Sequence, residues 1–386
     1  MPKIRAQQWG RSIERVSSLE DLPLRTNLQG LTPYGAPQLH VPIALNVNEN
    51  THPIPEAVVS DILASLADAI RSLNRYPDRE FTALREGLAR YLGEGLTAEN
   101  IWAANGSNEV LQQVLQAFGG PGRTLLGFAP TYSMYSILAS GTDTAWIPGT
   151  RDADFELSAA TAVSQISSIK PDVVFFCSPN NPTGTPLSLE TIAAAYDATT
   201  GIVVVDEAYA EFAPAGTPSA LTLLPGRERL LVSRTMIKAF AFAGARVGYL
   251  AADPAVTDAL RLVRLPYHLS ALTQAAASAA LAHSSEMLAM VDEIRGQRER
   301  LVVELTGLGF APYRSWSNFV LFGGVDDPRA TFEALLNEGI LIRDVGIPGH
   351  LRVTAGTEQE TTRFLEALAK LGRPRHSGQT SSTQAE

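Results

Sequence analysis

The sequence contains a single cysteine, Cys177, so no disulfide bond can form within one chain of 386 residues. This cysteine closes a continuous apolar run at residues 173–177, a pattern typical of a buried strand. Because a cysteine in such a run behaves as a small hydrophobic residue, we interpret Cys177 as part of the core and not as a nucleophile. We expect no metal site.

The chain also lacks any run rich in lysine or arginine, and its formal net charge is −9. Nucleic-acid-binding proteins carry basic patches, so this charge balance argues against a nucleic-acid partner. No apolar stretch approaches the roughly 20 residues that span a bilayer. The first nine residues hold no apolar core of a signal peptide. We therefore expect a cytoplasmic protein without a membrane partner.

The length of the chain exceeds what one small hydrophobic core accommodates, so we expect two lobes. Hydrophobic residues make up 45% of the chain and charged residues 18%, which is typical of a globular enzyme. We expect an N-terminal arm (residues 1–50) that contributes to the small domain, a large cofactor-binding domain (51–288) and a small domain (289–372). The Ser-, Thr- and Gln-rich segment 373–386 predicts a disordered tail.

Short apolar runs alternate with helical patterns between about residues 51 and 265. The runs are nearly all apolar, as expected for parallel strands that are covered on both faces. This rhythm predicts an α/β fold with a doubly wound, mostly parallel sheet. The predicted strands are residues 124–128, 173–177, 202–205, 230–233 and 248–251, and a helix is predicted at 188–197.

The remainder of the chain predicts a smaller α+β domain. Residues from about 270 to 307 are rich in Ala, Leu, Glu and Arg and contain no proline, so they predict one or two long helices. Beyond them, strands are predicted near 318–322, 339–343 and 351–354, and helices near 328–337 and 358–371.

Polar clusters follow the predicted strands, at the end of the sheet where open α/β folds bind ligands. Asn181 follows one strand, Asp206 and Tyr209 follow the next, and Lys238 follows a third. A carboxylate at such a position needs a cation as partner, and a protonated pyridine nitrogen is one. A lysine amine can form a Schiff base with an aldehyde. Together these residues indicate a site for pyridoxal phosphate (PLP).

A possible phosphate site lies at residues 105–109, which precede an amphipathic helical pattern. Ser107 predicts the N-cap of this helix. The segment is either an ordinary capped helix or a phosphate site, because a helix N-terminus offers free N–H groups and a positive dipole end. Arg246 could supply the countercharge and Thr235 a hydroxyl group. Tyr132 is either a core residue or a ring stacked on the cofactor.

The ordered set of motifs resembles the fold-type I PLP-dependent aminotransferases over about residues 30–370. Within them the chain is most similar to the histidinol-phosphate aminotransferase family of class II. The motifs that carry this resemblance are residues 45–50, 74–77, 105–109, 130–135, 180–184, 206–209, 235–246 and 351–356.

The resemblance implies a role in cofactor binding for each matching residue. Lys238 is implied to hold PLP covalently and to move protons, and Asp206 to pair with the ring nitrogen. Other residues are implied to contact the phenolate oxygen, the ring face or the phosphate. They are Asn181 and Tyr209 for the oxygen, Tyr132 for the ring, and Ser107, Asn108, Thr235 and Arg246 for the phosphate. Tyr76 is implied to reach the phosphate of a second subunit, and therefore a homodimer.

The resemblance also implies substrates, namely histidinol phosphate with 2-oxoglutarate as the amino acceptor. Arg352 is implied to bind the glutamate carboxylate or the substrate phosphate, with Arg343 assisting. Arginines at strand ends are also common as surface ion-pair residues. Tyr34 and Tyr267 are implied to flank the imidazole ring, and Asn48 to contact the substrate.

Three alternatives stay open from the residues alone. An aromatic amino-acid aminotransferase would share every cofactor-binding residue. An amino-acid-phosphate decarboxylase on the same fold would release CO2 and need no 2-oxoglutarate. A PLP-sensing regulator would carry a DNA-binding module, whereas only about 50 residues without a basic helix precede the first predicted helix here.

One residue departs from the pattern of the resembled family. That family usually has a serine directly before the lysine, with its hydroxyl on the cofactor phosphate, and this chain has Ile237. A hydrogen bond to a charged group contributes about 1.5–3 kcal/mol. We therefore expect weaker retention of PLP than a serine would give, with the catalytic residues intact.

Overall fold

The computed structural model describes residues 18–372. The predicted tail at 373–386 and the first 17 residues of the predicted arm lie outside the described residues. The chain divides into two compact units, Met1–Tyr34 and Gly35–Glu386. The described part of the first unit contains two short 3₁₀ turns, Leu19–Asp21 and Thr26–Leu28. Our domain boundaries at residues 50 and 288 stay a prediction, and the second falls inside a long helix.

The second unit contains the strands and α-helices of the fold. Its strands are β1 Ile43–Ala44, β2 Ile101–Asn105, β3 Thr124–Ala129, β4 Ala145–Thr150, β5 Val173–Cys177, β6 Ile202–Asp206, β7 Leu230–Thr235, β8 Val247–Ala251, β9 Ala311–Pro312, β10 Phe319–Gly323, β11 Ile340–Leu341 and β12 Leu351–Thr354. Its helices are α1 Glu56–Ile70, α2 Thr82–Leu92, α3 Ser107–Phe118, α4 Met134–Gly141, α5 Ala159–Ile169, α6 Leu189–Asp197, α7 Pro254–Val263, α8 Ala271–Ala282, α9 Ser284–Gly307, α10 Pro328–Asn337 and α11 Glu358–Lys370. Within the described residues, no helix is both long and apolar enough to cross a membrane.

A seven-stranded sheet forms the centre of this unit, in the order β2-β8-β7-β6-β5-β3-β4. The pairs among β3 to β7 are parallel. Helices α4, α5 and α6 lie in the connections from β3 to β6, and the β6–β7 connection contains two 3₁₀ turns. The predicted α/β class and mostly parallel sheet are therefore confirmed. Strands β5 and β6 lie in the middle of the sheet, so their carboxyl ends are enclosed by neighbouring strands.

The prediction that β8 is parallel was wrong, because it runs antiparallel to both β7 and β2. All five residues of β8 are buried, and a strand buried on both faces is uniformly apolar whichever way it runs. The sequence pattern also failed to predict β2 and β4. Strand β4 lies at the edge of the sheet and contains Pro148, which an edge strand tolerates because proline lacks only a donor.

The C-terminal part of the chain forms a three-stranded antiparallel sheet in the order β12-β10-β9. The predicted strand at 339–343 is shorter than expected, since β11 spans only two residues and Arg343 then forms an isolated bridge with Arg352. Strand β1 pairs in parallel with β11. The Leu45 carbonyl next to β1 accepts a hydrogen bond from the Thr354 amide of β12 at 2.9 Å. These pairings bring residues 46–48 beside β12.

Candidate active site

Lys238 lies just after β7, and its side chain is half-buried. Its Nζ donates to the carbonyl oxygen of Val47 at 2.9 Å. Burial lowers the pKa of this amine to about 7, and the charges of Arg352 and Arg246 act in the same direction, against the opposing charge of Glu49. A lysine with this pKa is substantially neutral near pH 7, so it can act as a nucleophile and as a base.

Asp206 ends β6 and is 2% exposed. Its Oδ2 accepts a hydrogen bond from the Tyr135 hydroxyl at 2.9 Å, while Oδ1 is buried and has no hydrogen-bond partner among the described residues. Burial raises the pKa of this carboxyl to about 6, although the Tyr135 hydrogen bond opposes the rise. A buried carboxylate oxygen without a partner is costly, so Oδ1 is suited to a cationic N–H donor.

The hydroxyl oxygen of Tyr209 accepts hydrogen bonds from two side-chain amides. Asn181 Nδ2 lies 3.2 Å from this oxygen and Asn48 Nδ2 lies 3.0 Å from it. Burial raises the pKa of the Tyr209 phenol, so the phenol keeps its proton. A phenol oxygen that accepts two hydrogen bonds must donate its proton in another direction. The arrangement therefore suits a ligand oxygen with negative charge.

Arg352 on β12 reaches the same cluster and is buried. Its Nη1 donates to Asn181 Oδ1 at 2.5 Å, and its Nη2 donates to the Asn46 carbonyl at 2.7 Å. Because Asn181 accepts from Arg352 with its oxygen, its nitrogen faces Tyr209. Arg343 exchanges backbone hydrogen bonds with Arg352, so the two predicted substrate arginines lie on adjacent strand segments.

The start of α3 forms a cradle for an anion. Gly106, with φ +89°, is the N-cap of this helix, and Ser107 is its first residue. A Cβ on Gly106 would lie 2.5 Å from Nη2 of Arg246. The guanidinium group of Arg246 therefore faces the positive end of the α3 dipole. Two positive groups in this arrangement favour an anion between them, which fits a phosphate.

Our prediction of Ser107 as the N-cap was wrong by one residue. The backbone at the cap adopts a positive φ, which favours glycine. In addition, β8 approaches the helix start so closely that a Cβ on Gly248 would collide with the backbone of Ser107. The sequence shows no sign of this close approach, because it depends on how β8 packs.

Two other residues predicted to contact the phosphate, Thr235 and Asn108, use their side chains for hydrogen bonds within the protein. Thr235 Oγ1 donates to the Val247 carbonyl at 2.9 Å and accepts from the Ile237 amide at 3.1 Å, so its proton points away from the cradle. Asn108 Oδ1 accepts from the Tyr132 hydroxyl at 3.2 Å. The phosphate roles of Thr235 and Asn108, and the stacking role of Tyr132, stay predictions.

The remaining predicted site residues are Tyr76, Tyr267, Tyr34 and Asn48. Tyr76 and Tyr267 stack on each other with ring centroids 4.3 Å apart, and Tyr76 is 80% exposed. Tyr34 ends the first compact unit, so its predicted contact with the imidazole ring stays a prediction. Asn48 lies in the cluster, but its amide is directed at Tyr209, and its contact with the substrate also stays a prediction.

Two residues that the sequence analysis did not single out hold Asn48 in place. Thr354 Oγ1 donates to Asn48 Oδ1 at 3.1 Å and accepts from the Asn48 amide at 3.1 Å. Asn318 Nδ2 donates to the Asn48 carbonyl at 3.1 Å. The one available signal was that both are polar residues at the ends of predicted apolar strands.

The donor set matches the functional groups of PLP. Asp206 Oδ1 suits the pyridinium N–H, the Tyr209 hydroxyl suits the phenolate oxygen, and the buried Lys238 amine suits the aldehyde. The positive cradle between Arg246 and the start of α3 suits the phosphate. These groups stand on separate elements, and the fold brings them to one end of the sheet.

Comparison with known proteins identifies the class to which this site belongs. Residues 41–368 match the family model for aminotransferases of class I and II. The matched segment includes Asp206, Lys238 and Arg352, and it spans most of the chain. The chain belongs to the class I and II aminotransferase family, whose members use PLP.

Its relatives within that family carry a more particular name. The chain is 64% identical over 361 residues to a histidinol-phosphate aminotransferase of Paenarthrobacter aurescens, covering 93% of this chain and 97% of the relative. It is 57% identical to one of Thermobifida fusca, covering 91% and 96%. A solved histidinol-phosphate aminotransferase from Sinorhizobium meliloti, in complex with pyridoxal-5'-phosphate, shares the fold with a TM-score of 0.81 at 24% identity, covering 91% and 98%.

Ile237 provides the first test of the cradle. Its side chain is 9% exposed, and its Cδ1 would lie 3.3 Å from a Cβ on Gly106, so an apolar group lies beside the proposed phosphate position. We expect Ile237→Ser to tighten PLP binding by roughly tenfold or more, because a hydroxyl can donate to the phosphate. Equilibrium dialysis of the apoprotein against PLP measures this change.

Ile237→Val is the matched control, because it shortens the side chain without adding a donor. It is expected to leave the PLP dissociation constant within about twofold of the wild-type value, since no hydrogen bond is gained. If the Ser variant binds PLP no more tightly than the Val variant, our interpretation of position 237 is wrong.

Proposed function

We propose that this protein transfers the amino group of L-histidinol phosphate to 2-oxoglutarate, giving imidazole acetol phosphate and L-glutamate, in histidine biosynthesis. The observation that carries the proposal is 64% identity, over 93% of the chain, to a relative named histidinol-phosphate aminotransferase. The site geometry supports the same reaction class, because it combines a buried amine, an unpaired carboxylate oxygen and an anion cradle.

Lys238 is the acid–base residue of the proposed reaction. When bound, PLP supplies an electron sink that stabilises negative charge on the substrate carbon. Lys238 Nζ would hold the cofactor between turnovers. Once the substrate amine has taken its place, the free Nζ would remove the proton from the substrate carbon and deliver it to the C4′ carbon of the cofactor. A pKa of about 7 matches this work, since a base is most effective when its pKa lies near the working pH.

The neighbouring residues control charge around the cofactor. Asp206 Oδ1 would keep the ring nitrogen protonated through an ion pair in a buried environment. Tyr209 would donate its proton to the phenolate oxygen. Asn48 and Asn181 donate to the hydroxyl oxygen from the other side, so they would fix the direction of that proton. These contacts orient the cofactor without moving a proton of their own.

Arg352 and Arg343 support a substrate with a phosphate or carboxylate group. Arg352 is held by Asn181 and Asn46, so its guanidinium plane is fixed for bidentate recognition of an oxyanion. An aromatic amino-acid aminotransferase is the second candidate, because it would use the same cofactor residues. The pair of arginines favours the phosphorylated amine, since its phosphate carries a charge of about −1.5 to −2 near pH 7, whereas the carboxylate of an aromatic amino acid carries a single negative charge.

We also propose that the protein works in the cytoplasm as a homodimer with shared sites. Several residues close in sequence to Tyr76 or Tyr267 have exposed apolar side chains, namely Ile70, Leu73, Leu262 and Leu265. Apolar groups that stand this far into solvent are typical of a protein–protein interface. Tyr76 at 80% exposure is then available to reach the cofactor phosphate of the second subunit.

The substrate assignment predicts a preference in single turnovers. The PLP-loaded protein, mixed with histidinol phosphate, phenylalanine or tyrosine, should lose its cofactor absorbance fastest with histidinol phosphate, because only this substrate engages both arginines. Stopped-flow absorbance measures the rates. A large preference for phenylalanine would contradict the assignment, and release of CO2 without a need for 2-oxoglutarate would indicate a decarboxylase.

Lys238→Ala is expected to abolish turnover, because it removes both the attachment point and the proton carrier. The loss should be at least the 10²–10⁴-fold that a positioned general base contributes, as measured by glutamate formation. Lys370→Ala removes an exposed lysine at the end of α11 and should leave both activity and melting temperature unchanged. Residual turnover of Lys238→Ala within tenfold of wild type would exclude this role for Lys238.

The dimer predicts that a charge at Leu265 separates the subunits. Leu265 is 76% exposed, so Leu265→Asp should not unfold the chain, but it would bury an unpaired charge in the interface. Sedimentation velocity should show a dimer for wild type and a monomer for this variant. Val303→Asp, at a similarly exposed apolar position on α9, is the control, and equal behaviour of the two variants would argue against this interface.

A further inference from the structure

Tyr135 lies in the first turn of α4 and has no role in the reaction described so far. Its hydroxyl donates to Asp206 Oδ2 at 2.9 Å. Its ring packs edge-on against Tyr132, with centroids 5.5 Å apart, and against Phe175 at 5.2 Å. The side chain is fully buried. These contacts hold the phenol of Tyr135 in one orientation.

The two oxygens of Asp206 have different surroundings as a result. Oδ2 accepts the hydrogen bond from Tyr135, whereas Oδ1 is buried without a partner among the described residues. A freely rotating carboxylate could present either oxygen to a ligand, but here only one of them is available. The hydrogen bond from Tyr135 to Oδ2 therefore determines which oxygen of Asp206 can pair with a cationic ring nitrogen.

We propose that Tyr135 is a positioning residue for the amino-transfer reaction: its hydroxyl engages Oδ2 of Asp206 and so directs Oδ1 to the ring nitrogen of PLP. Tyr135 acts through Asp206 and touches neither the substrate nor the reacting atoms. The inference rests on the proposed function, because that function supplies the ring nitrogen.

The charge of Asp206 depends on the same hydrogen bond. The titratable groups that face Asp206 are Tyr135 from α4, Cys177 from β5, and Glu207 and Tyr209 directly after β6. Burial raises the pKa of Cys177 to about 12 and also raises the pKa values of both tyrosines, so all three are neutral near pH 7. Burial and, to a smaller extent, the Glu207 charge raise the pKa of Asp206, whereas the Tyr135 hydroxyl and then the backbone N–H of Ala208 lower it.

The sign of the pH effect follows from this balance. Tyr135 stabilises the ionised form of Asp206, so its loss raises the pKa of that carboxyl. Activity requires the ionised form and falls when Asp206 is protonated at low pH. Without the Tyr135 hydroxyl, the acid limb of the kcat profile should therefore move to higher pH.

Tyr135→Phe in the PLP-loaded protein tests the inference, because it removes the hydroxyl and keeps the ring. We expect PLP retention to weaken about 10- to 100-fold, and the acid limb of kcat to move up by about one pH unit, as the loss of a hydrogen bond to a charged group implies. Equilibrium dialysis and a pH–rate profile measure the two changes. The visible absorbance of bound PLP, titrated with pH, should shift in the same direction.

Tyr249→Phe is the matched control. Tyr249 is also buried, lies on β8 of the same sheet, and its hydroxyl has no hydrogen-bond partner among the described residues. This substitution should leave PLP affinity and the pH profile unchanged. If Tyr135→Phe behaves like the control, the inference is overturned.

A double-mutant cycle separates positioning from packing. If Tyr135 acts through Asp206, Tyr135→Phe should cost little PLP affinity in the Asp206→Asn background, because the charged acceptor is already gone. An equal loss in both backgrounds would show a packing role and overturn the inference. This readout is binding, so it does not depend on the low activity expected of Asp206→Asn.

Two further measurements keep the result unambiguous. A wild-type protein that neither binds PLP nor forms glutamate would contradict the proposed function itself, whatever Tyr135 does. If melting curves show that Tyr135→Phe is unfolded, 3-fluorotyrosine at position 135 keeps the shape and strengthens the donor. The acid limb should then move to lower pH, and an unmoved limb would overturn the inference.

Discussion

A buried carboxylate with one unpaired oxygen is the constraint on which the rest of the site depends. Asp206 stands at the end of a central strand, where β5 and β7 flank it on both sides, and its side chain is buried. An ionised group in this position is unfavourable unless a cation meets it. The pyridinium of PLP is such a cation. In the proposed pairing, the unfavourable burial of Asp206 would be offset by this ion pair, which would also keep the ring nitrogen protonated.

Long-range pairings complete the site around that carboxylate. The β1–β11 pair and the hydrogen bond between Thr354 and Leu45 bring the segment around Asn48 against Tyr209. Arg352 then joins β12 to Asn181. The substrate side and the cofactor side of the site thus share one hydrogen-bond network. Asn181 is the shared member of this network, because its oxygen accepts from Arg352 and its nitrogen donates to Tyr209.

Sequence patterns predicted the strands and helices that are determined by residues close to one another in the chain. The strand preceding Cys177 and the helix at 328–337 were predicted with their observed bounds, because apolar runs and proline or aspartate caps act within a few residues. Sequence patterns did not predict the antiparallel direction of β8, the existence of β2 and β4, or the helix cap at Gly106. Each of these depends on which strand lies alongside, and neighbouring strands are far apart in the sequence.

The sequence by itself determined which chemical groups are present and on which strand ends they stand, because the order of Asn181, Asp206, Tyr209 and Lys238 follows from the chain alone. Only the tertiary structure decided how those groups are directed. Side chains from α4, β12 and the segment after β1 fix the free oxygen of Asp206 and the proton of Tyr209. Hydrogen-bond direction is a property of neighbours in space, and folding alone brings these neighbours together.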